Sequence, residues 1–359
     1  SKRVKTTNSS GTVSTVKDSP DNEMDRVGIY LQDEINFNKW DLITGVRFDS
    51  YDLNVTSDSE YTSNGEDVEV PVGSNENAVS PKIAALYKLN PQLTAYAQYA
   101  KGFRAPANEE INNSYSKPAH GYRIYSAPNL KPEKSDNFEV GLKGSYEKND
   151  YNLSIFYNSY NDYIEPYKDI GSKTETVVSR GVASQVDVVQ YQSTNIGSAE
   201  IYGAEFSSEH RLSPDGIGIS FLTSLSYLYG QDTKENVPLK TIDPMTAKLG
   251  LRYKTSNDKW QFDLISKYVA EPRDDKEKAY KGGATSETTA FRPESFITFD
   301  LTSNYKSSDR LNLDLGLFNI FDTRYYNYSD VRGKAADLWN LERYSQPGRH
   351  VKAGFNFKF

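Results

Sequence analysis

From residue 26 to the end of the chain, apolar and polar residues alternate with a period of two, segment after segment. In the last ten residues, Val351, Ala353, Phe355, Phe357 and Phe359 share one parity, while His350, Lys352, Asn356 and Lys358 share the other. Successive side chains of a strand point to opposite faces, so each such segment reads as a strand with one apolar face. Val27, Ile29, Leu31, Ile35 and Phe37 oppose Gln32 and Glu34 in the same way. Trp40, Leu42, Val46 and Phe48 oppose Asp41, Arg47 and Asp49, and Leu311, Leu313, Leu315 and Leu317 oppose Asn312 and Asp314. The whole chain yields about thirteen such strands.

The connections carry a second regularity. Short turns such as Asn38-Lys39, Asn90-Pro91 and Asn257-Asp258 alternate with long polar stretches near 57–80, 101–135, 161–188, 231–241 and 271–293. Short turns at one end and long loops at the other are expected of an outer-membrane barrel. A soluble sandwich or propeller predicts no such alternation. No run approaches the roughly 18 apolar residues of a membrane-crossing helix. A mean hydropathy of −0.71 is compatible with a barrel, because only alternate residues face lipid. The 27 tyrosines suit aromatic girdles at the membrane interfaces, although soluble all-β proteins also favour Tyr. The prediction is therefore an all-β fold, an antiparallel transmembrane β-barrel. Residues 1–25 form a polar loop or disordered segment, and 26–359 form barrel wall.

Composition removes other classes. A net charge of −7 argues against nucleic acid as a partner. The chain has no Cys, which suits the oxidant-exposed cell envelope. There is no zinc spacing, P-loop, dinucleotide fingerprint or nucleophile elbow, so no enzyme and no catalytic cofactor is expected. The run Asp274-Asp275-Lys276-Glu277-Lys278 mixes signs without a calcium-ligand spacing and reads as a solvated loop tip.

The stretch 101–135 lacks either period and carries Pro106, Pro118, Pro128 and Pro132, so it reads as one long loop. It also holds Tyr115, His120, Tyr122, Arg123 and Tyr125. A loop histidine is often only a solvated surface residue. His350 lies on the polar parity of the last strand, and His210 sits beside a short turn, so neither competes with His120 as a ligand.

Phe103-Arg104-Ala105-Pro106 and Pro128-Asn129-Leu130-Lys131-Pro132-Glu133-Lys134-Ser135 resemble a pair of boxes in TonB-dependent outer-membrane receptors. Between them, Asn112-Asn113-Ser114-Tyr115 and Gly121-Tyr122-Arg123 are most similar to the haem and haemoglobin receptors of that family. Asn195-Ile196-Gly197 and the stretch from Asn319 to Tyr326 are also similar to the family's patterns. One departure is Ala127, which stands where the second box usually begins with Asn. The resemblance implies a barrel of about 22 strands, of which about nine lie ahead of residue 26 together with a plug domain. It implies the TonB complex as a partner through that N-terminal part, outer-membrane lipid around the wall and a bacterial outer-membrane location. It further implies haem as a transported ligand, with haemoglobin as a source. A ferric-siderophore receptor is the alternative, and an adhesin or structural barrel is the alternative of another class. In the haem reading, His120 and Tyr122 are the candidate ligands of the iron. Tyr115, Tyr122 and Tyr125 contact the haem plane, and Arg123 pairs with a propionate.

Overall fold

The computed structural model describes residues 3–7, 13–17, 19–57, 61, 70–179, 181–273, 278–280 and 287–358. Two strands, β1 (Arg3–Thr7) and β2 (Val13–Lys17), pair as a separate antiparallel hairpin. There follow β3 (Asp21–Phe37), β4 (Trp40–Thr56), β5 (Ser74–Asn90), β6 (Leu93–Arg104), β7 (Tyr115–Lys117), β8 (Tyr122–Tyr125) and β9 (Glu133–Ser145). Next are β10 (Asn149–Ser179), β11 (Val182–Arg211), β12 (Gly218–Asp232), β13 (Val237–Pro238), β14 (Thr246–Lys254) and β15 (Trp260–Val269). The chain ends with β16 (Lys278–Tyr280), β17 (Glu287–Thr289), β18 (Phe296–Ser308), β19 (Leu311–Phe318) and β20 (His350–Phe357).

Thirteen of these strands hydrogen-bond in chain order into one antiparallel wall, from β3 at one edge through β4, β5, β6, β9, β10, β11, β12, β14, β15, β18 and β19 to β20 at the other. The two edges are not paired with each other, so the sheet is open. Short turns join the strands at one end of the wall, and the connections at the other end are long except between β10, which ends at Ser179, and β11, which begins at Val182. This is the arrangement that the alternation predicts. Phe359 and residues 274–277 of the charged run lie outside the described residues.

The two faces of the wall have opposite chemistry. On one, Leu31 is 73 % exposed, Leu249 63 % and Phe355 74 %, with Phe138, Val140, Ile155, Phe221, Leu264 and Leu301 exposed beside them. A continuous apolar face of this size would drive aggregation in water, whereas against hydrocarbon it is satisfied. Aromatic pairs mark both ends of this belt. Trp40 stacks near Tyr87 (4.6 Å) and Trp260 on Tyr305 (4.4 Å) at the short-turn end. Tyr99 meets Phe138 (4.9 Å) and Tyr202 meets Tyr229 (5.2 Å) toward the loop end. The opposite face is polar and self-paired within and across strands. Arg47 donates to both oxygens of Asp49, two residues along the same strand, at 2.7 Å, and across strands Arg252 donates to Asp263 at 2.7 Å. Tyr96 and Gln98 donate to Glu139, and Asn304 and Asn356 donate to Asp314. Each such cross-strand pair stabilises one register, because a one-residue slip would turn it into the apolar face.

Two segments differ from the sequence expectation. Residues 1–25, expected as loop or disordered, contain the β1–β2 hairpin and the first five residues of β3. Residues 161–188, expected as a long loop, belong to the β10–β11 hairpin, whose ladder continues from Asn149↔His210 to Ser179↔Val182. For residues 21–25 and for the upper part of the β10–β11 hairpin the physical reason is the same: they stand beyond the apolar belt, where no apolar alternation is required. In β10 the pattern is also broken by register shifts between Glu165 and Lys168 and between Asp169 and Gly171. The loop expected over 57–80 is shorter for the same reason, since β5 begins at Ser74.

Asn319 closes β19 in a left-handed conformation (φ 49°) at 3 % exposure. Its N–H donates to Asp300 Oδ1 (2.7 Å), its amide nitrogen to the carbonyls of Thr323 (2.8 Å) and Pro347 (3.3 Å), and its Oδ1 accepts from Thr323 N (2.9 Å). Asp322, also left-handed, accepts from Arg349 N at 2.7 Å, tying the start of the last loop to its end. Asn tolerates this backbone region and branched or bulky residues do not. Asn319→Val is expected to destabilise the β19–β20 region by about 2–4 kcal/mol, from lost buried hydrogen bonds plus backbone strain. A lowered unfolding temperature on a heat-modifiability gel checks this, and an unchanged one refutes it.

Candidate functional site

The loop between β6 and β9 is held as a braced unit. Arg104, at the top of β6, faces Glu133, the first residue of β9. Its guanidinium donates to Glu133 from Nε (2.7 Å) and Nη2 (2.8 Å), and from Nη1 to both oxygens of Glu110 (3.0 and 2.8 Å). Glu110 also accepts from Ala107 N (2.8 Å), capping a short helix, Asn108–Asn112. Glu133 accepts a further bond from Ile164 N on β10 (2.8 Å). One arginine thus joins the first box, the helix and the second box.

Three further contacts lock the same unit. Asn195 on β11 takes both backbone groups of Lys131: its Oδ1 accepts from Lys131 N (2.8 Å) and its Nδ2 donates to Lys131 O (2.9 Å). Asn112 does the same to Val72, accepting from its N–H and donating to its carbonyl, both at 2.9 Å. Ile111 packs with Tyr51 and Leu53 in a small buried cluster on the top of β4. Ala127, at the position where the family's second box usually begins with Asn, is buried and donates its N–H to Ile111 O (2.7 Å).

Between the boxes, the stretch expected as loop forms a small ribbon. β7 pairs antiparallel with β8, and β8 adds in parallel to β11, with Tyr122 beside Val189 and Tyr125 beside Gln192. A 3-10 turn, Pro118–His120, and left-handed Gly121 (φ 79°) connect the two strands. His120 therefore sits at the turn. In the ribbon's register Tyr115 opposes Ile124 and Lys117 opposes Tyr122, which places all four on one face. The rings of Tyr115 and Tyr122 are 6.1 Å apart, and the Lys117 ammonium lies 5.0 Å from the Tyr115 centroid.

Arg123 and Tyr125 have the opposite parity. Arg123 forks onto Glu175 of β10 at 3.1 and 2.8 Å, with both side chains largely buried. Tyr125 OH accepts from Gln190 (3.3 Å). Strand alternation thus splits the five candidates: Tyr115 and Tyr122 share a face, Arg123 and Tyr125 brace the other, and His120 stands at the turn. Beside Ile124, well above the belt, Tyr191 has its phenol pushed up by burial and then by Asp169, so it stays neutral at physiological pH. Glu175 carries the Arg123 side of this arrangement and has no local signal, because it is recognisable only once strands distant in sequence are in register.

Among the described residues there is no cluster of three or more His, Cys, Asp or Glu able to hold a metal ion. No helix among them is long and apolar enough to cross a membrane, which leaves crossing to the strands. A wall with an apolar outside, a polar inside and a braced, aromatic loop at one mouth defines a transport barrel of the outer-membrane type. Residues 2–320 match the family described as TonB dependent receptor-like, beta-barrel, and the chain belongs to that family of transport receptors.

Its relatives include Hemoglobin-haptoglobin utilization protein B of Neisseria meningitidis serogroup A, 25 % identical over 343 residues, covering 89 % of this chain and 42 % of that protein. They also include the Hemoglobin and hemoglobin-haptoglobin-binding protein of Haemophilus ducreyi, 25 % identical over 362 residues, covering 89 % of this chain and 36 % of that protein. Among solved structures, the copper transporter OprC superposes with a TM-score of 0.70 at 19 % identity, over 97 % of this chain and half of its own. The chain thus spans less than half the length of these curated relatives.

Proposed function

We propose that this chain is part of a bacterial outer-membrane receptor that takes up haem, with haemoglobin as its source, in a TonB-dependent cycle. The observation that carries the reading is the Tyr115–Tyr122 face, set between two clamped boxes with His120 at the adjoining turn. Ferric haem needs an axial donor and aromatic or apolar contact for its plane. Tyr122 or His120 supplies the donor, and Tyr115 supplies contact. Arg123 reaches a propionate only by giving up Glu175, so in the loop as folded it and Tyr125 hold the ribbon in place. Relatives whose names specify haemoglobin binding support this ligand class. TonB, engaged by the receptor's N-terminal part, supplies the work that carries the cargo past the loops and through the barrel.

Haemin titration of the full receptor tests the proposal. His120→Ala and Tyr122→Ala are each expected to shift the Soret band, and the double variant to weaken binding at least about tenfold, as for loss of an axial bond. Wild-type spectra and wild-type haem-dependent growth in the double variant would remove this loop from ligation. A receptor that binds no haemin but restores growth on a ferric siderophore would select the siderophore reading.

A further inference from the structure

Many charges on the polar face of the wall are paired, as Arg47 is with Asp49 and Arg252 with Asp263. Lys248 of β14 and Lys267 of β15 stand directly opposite each other in the ladder, on the parity of Arg252 and Asp263 and therefore inside the barrel. Like charges directly opposite are destabilising in a sheet. Neither ammonium has a carboxylate within 4.0 Å among the described residues. Of the nearby acids, Asp263 is engaged with Arg252 (2.7 Å) and Asp300 with Asn319 N (2.7 Å), while Asp243, in the connection ahead of β14, lies near Lys267 but beyond ion-pair distance. The flanking residues across the neighbouring strands are Ser224 and Thr298, which are uncharged. The pair lies two residues below the loop ends of its strands, at the mouth. There the Lys267 ammonium is 5.9 Å from the Phe296 ring, and Phe296 packs on Tyr325 at 4.3 Å.

We propose that Lys248 and Lys267 form an anion clamp in the lumen that takes the carboxylates of an aromatic, acid-bearing cargo as it leaves the loops. Two ammonium groups at one height hold a carboxylate by charge-assisted hydrogen bonds, and Phe296 with Tyr325 offers apolar contact to the attached ring. The bound carboxylates also cancel the repulsion that the empty wall carries. The clamp names a second station for the haem reading and rests on it for the identity of the cargo, while its own requirement is only for carboxylates.

The test therefore uses iron-free protoporphyrin IX, a diacid, and its dimethyl ester, which keeps the ring and lacks the charges. The wild-type full receptor in detergent is expected to prefer the diacid by at least about tenfold. Lys248→Gln with Lys267→Gln should abolish that preference and, with no porphyrin present, raise the unfolding temperature by about 1–2 °C as the repulsion disappears. Lys248→Arg with Lys267→Arg should keep the preference. A retained preference in the glutamine pair overturns the clamp. So does a lowered unfolding temperature in that pair, which would show that the lysines bind a carboxylate of the receptor itself, such as one on the plug. A lysine-dependent diacid preference in a receptor that neither ligates haemin nor supports haem-dependent growth would leave the clamp standing and remove the haem reading. Haemin ligation and growth that are indifferent to both lysines would do the reverse.

Discussion

Arg104→Ala should release the whole loop between β6 and β9 while leaving the strands of the wall paired. Arg104 makes two bonds to Glu133 and two to Glu110, and Glu133 is only 11 % exposed at its side chain. Removing the guanidinium leaves that carboxylate half-desolvated, with Ile164 N still donating to it. A charged hydrogen-bonded pair of this kind is worth about 2–3 kcal/mol, taken below the fully buried value because Arg104 itself is 44 % exposed. The loop is a small unit, so a loss of this size shifts its opening equilibrium by about 30-fold to 140-fold. Hydrogen exchange should rise across 105–132, and limited proteolysis should cut there first. Haemin affinity should fall with it, because the Tyr115–Tyr122 face is carried by the braced segment. Arg104→Lys should rescue only part, since a point charge cannot fork onto two carboxylates at once. Unchanged exchange and unchanged cutting in the alanine variant would show that Asn195, Asn112 and the Ile111 cluster hold the loop without it.

The second large effect concerns the 359 residues expressed alone. β3 and β20 are edge strands, and their outer ladders have no partner strand among the described residues. In hydrocarbon each unsatisfied backbone group costs several kcal/mol, so an open edge of even five or six groups costs on the order of 10–20 kcal/mol. That exceeds the stability of an ordinary domain. In water the same edges template aggregation. The isolated chain is expected to run as aggregates or higher oligomers in detergent, to be degraded by protease and to restore no uptake. The same residues within a longer receptor that closes the sheet should yield a heat-modifiable monomer. A monodisperse, protease-resistant monomer of these residues that also restores uptake would refute the expectation.

The wall was legible in the sequence because its constraint is local. Lipid on one side and water on the other force every crossing strand to alternate, as at Leu311–Leu317 and Val351–Phe357, and the turns show as polar breaks between such runs. The boxes were legible by residue identity, although what they do was not: Arg104, Glu133 and Asn195 act as braces, and no property of these residues alone says so. Beyond the belt the alternation ends, and with it the local signal. The height of the β10–β11 hairpin, the parallel docking of β8 on β11, and the separation of Tyr122 from Arg123 onto opposite faces came only from the register of paired strands. Arg123 met Glu175 and Lys248 met Lys267 for the same reason. By itself, the chain's sequence determined an antiparallel lipid-facing wall and the place of its braced loop, since period and solvent act on each strand separately. Which side chains meet across that wall was decided by tertiary structure alone, because cross-strand partners are set by hydrogen-bonded register between residues far apart in the chain.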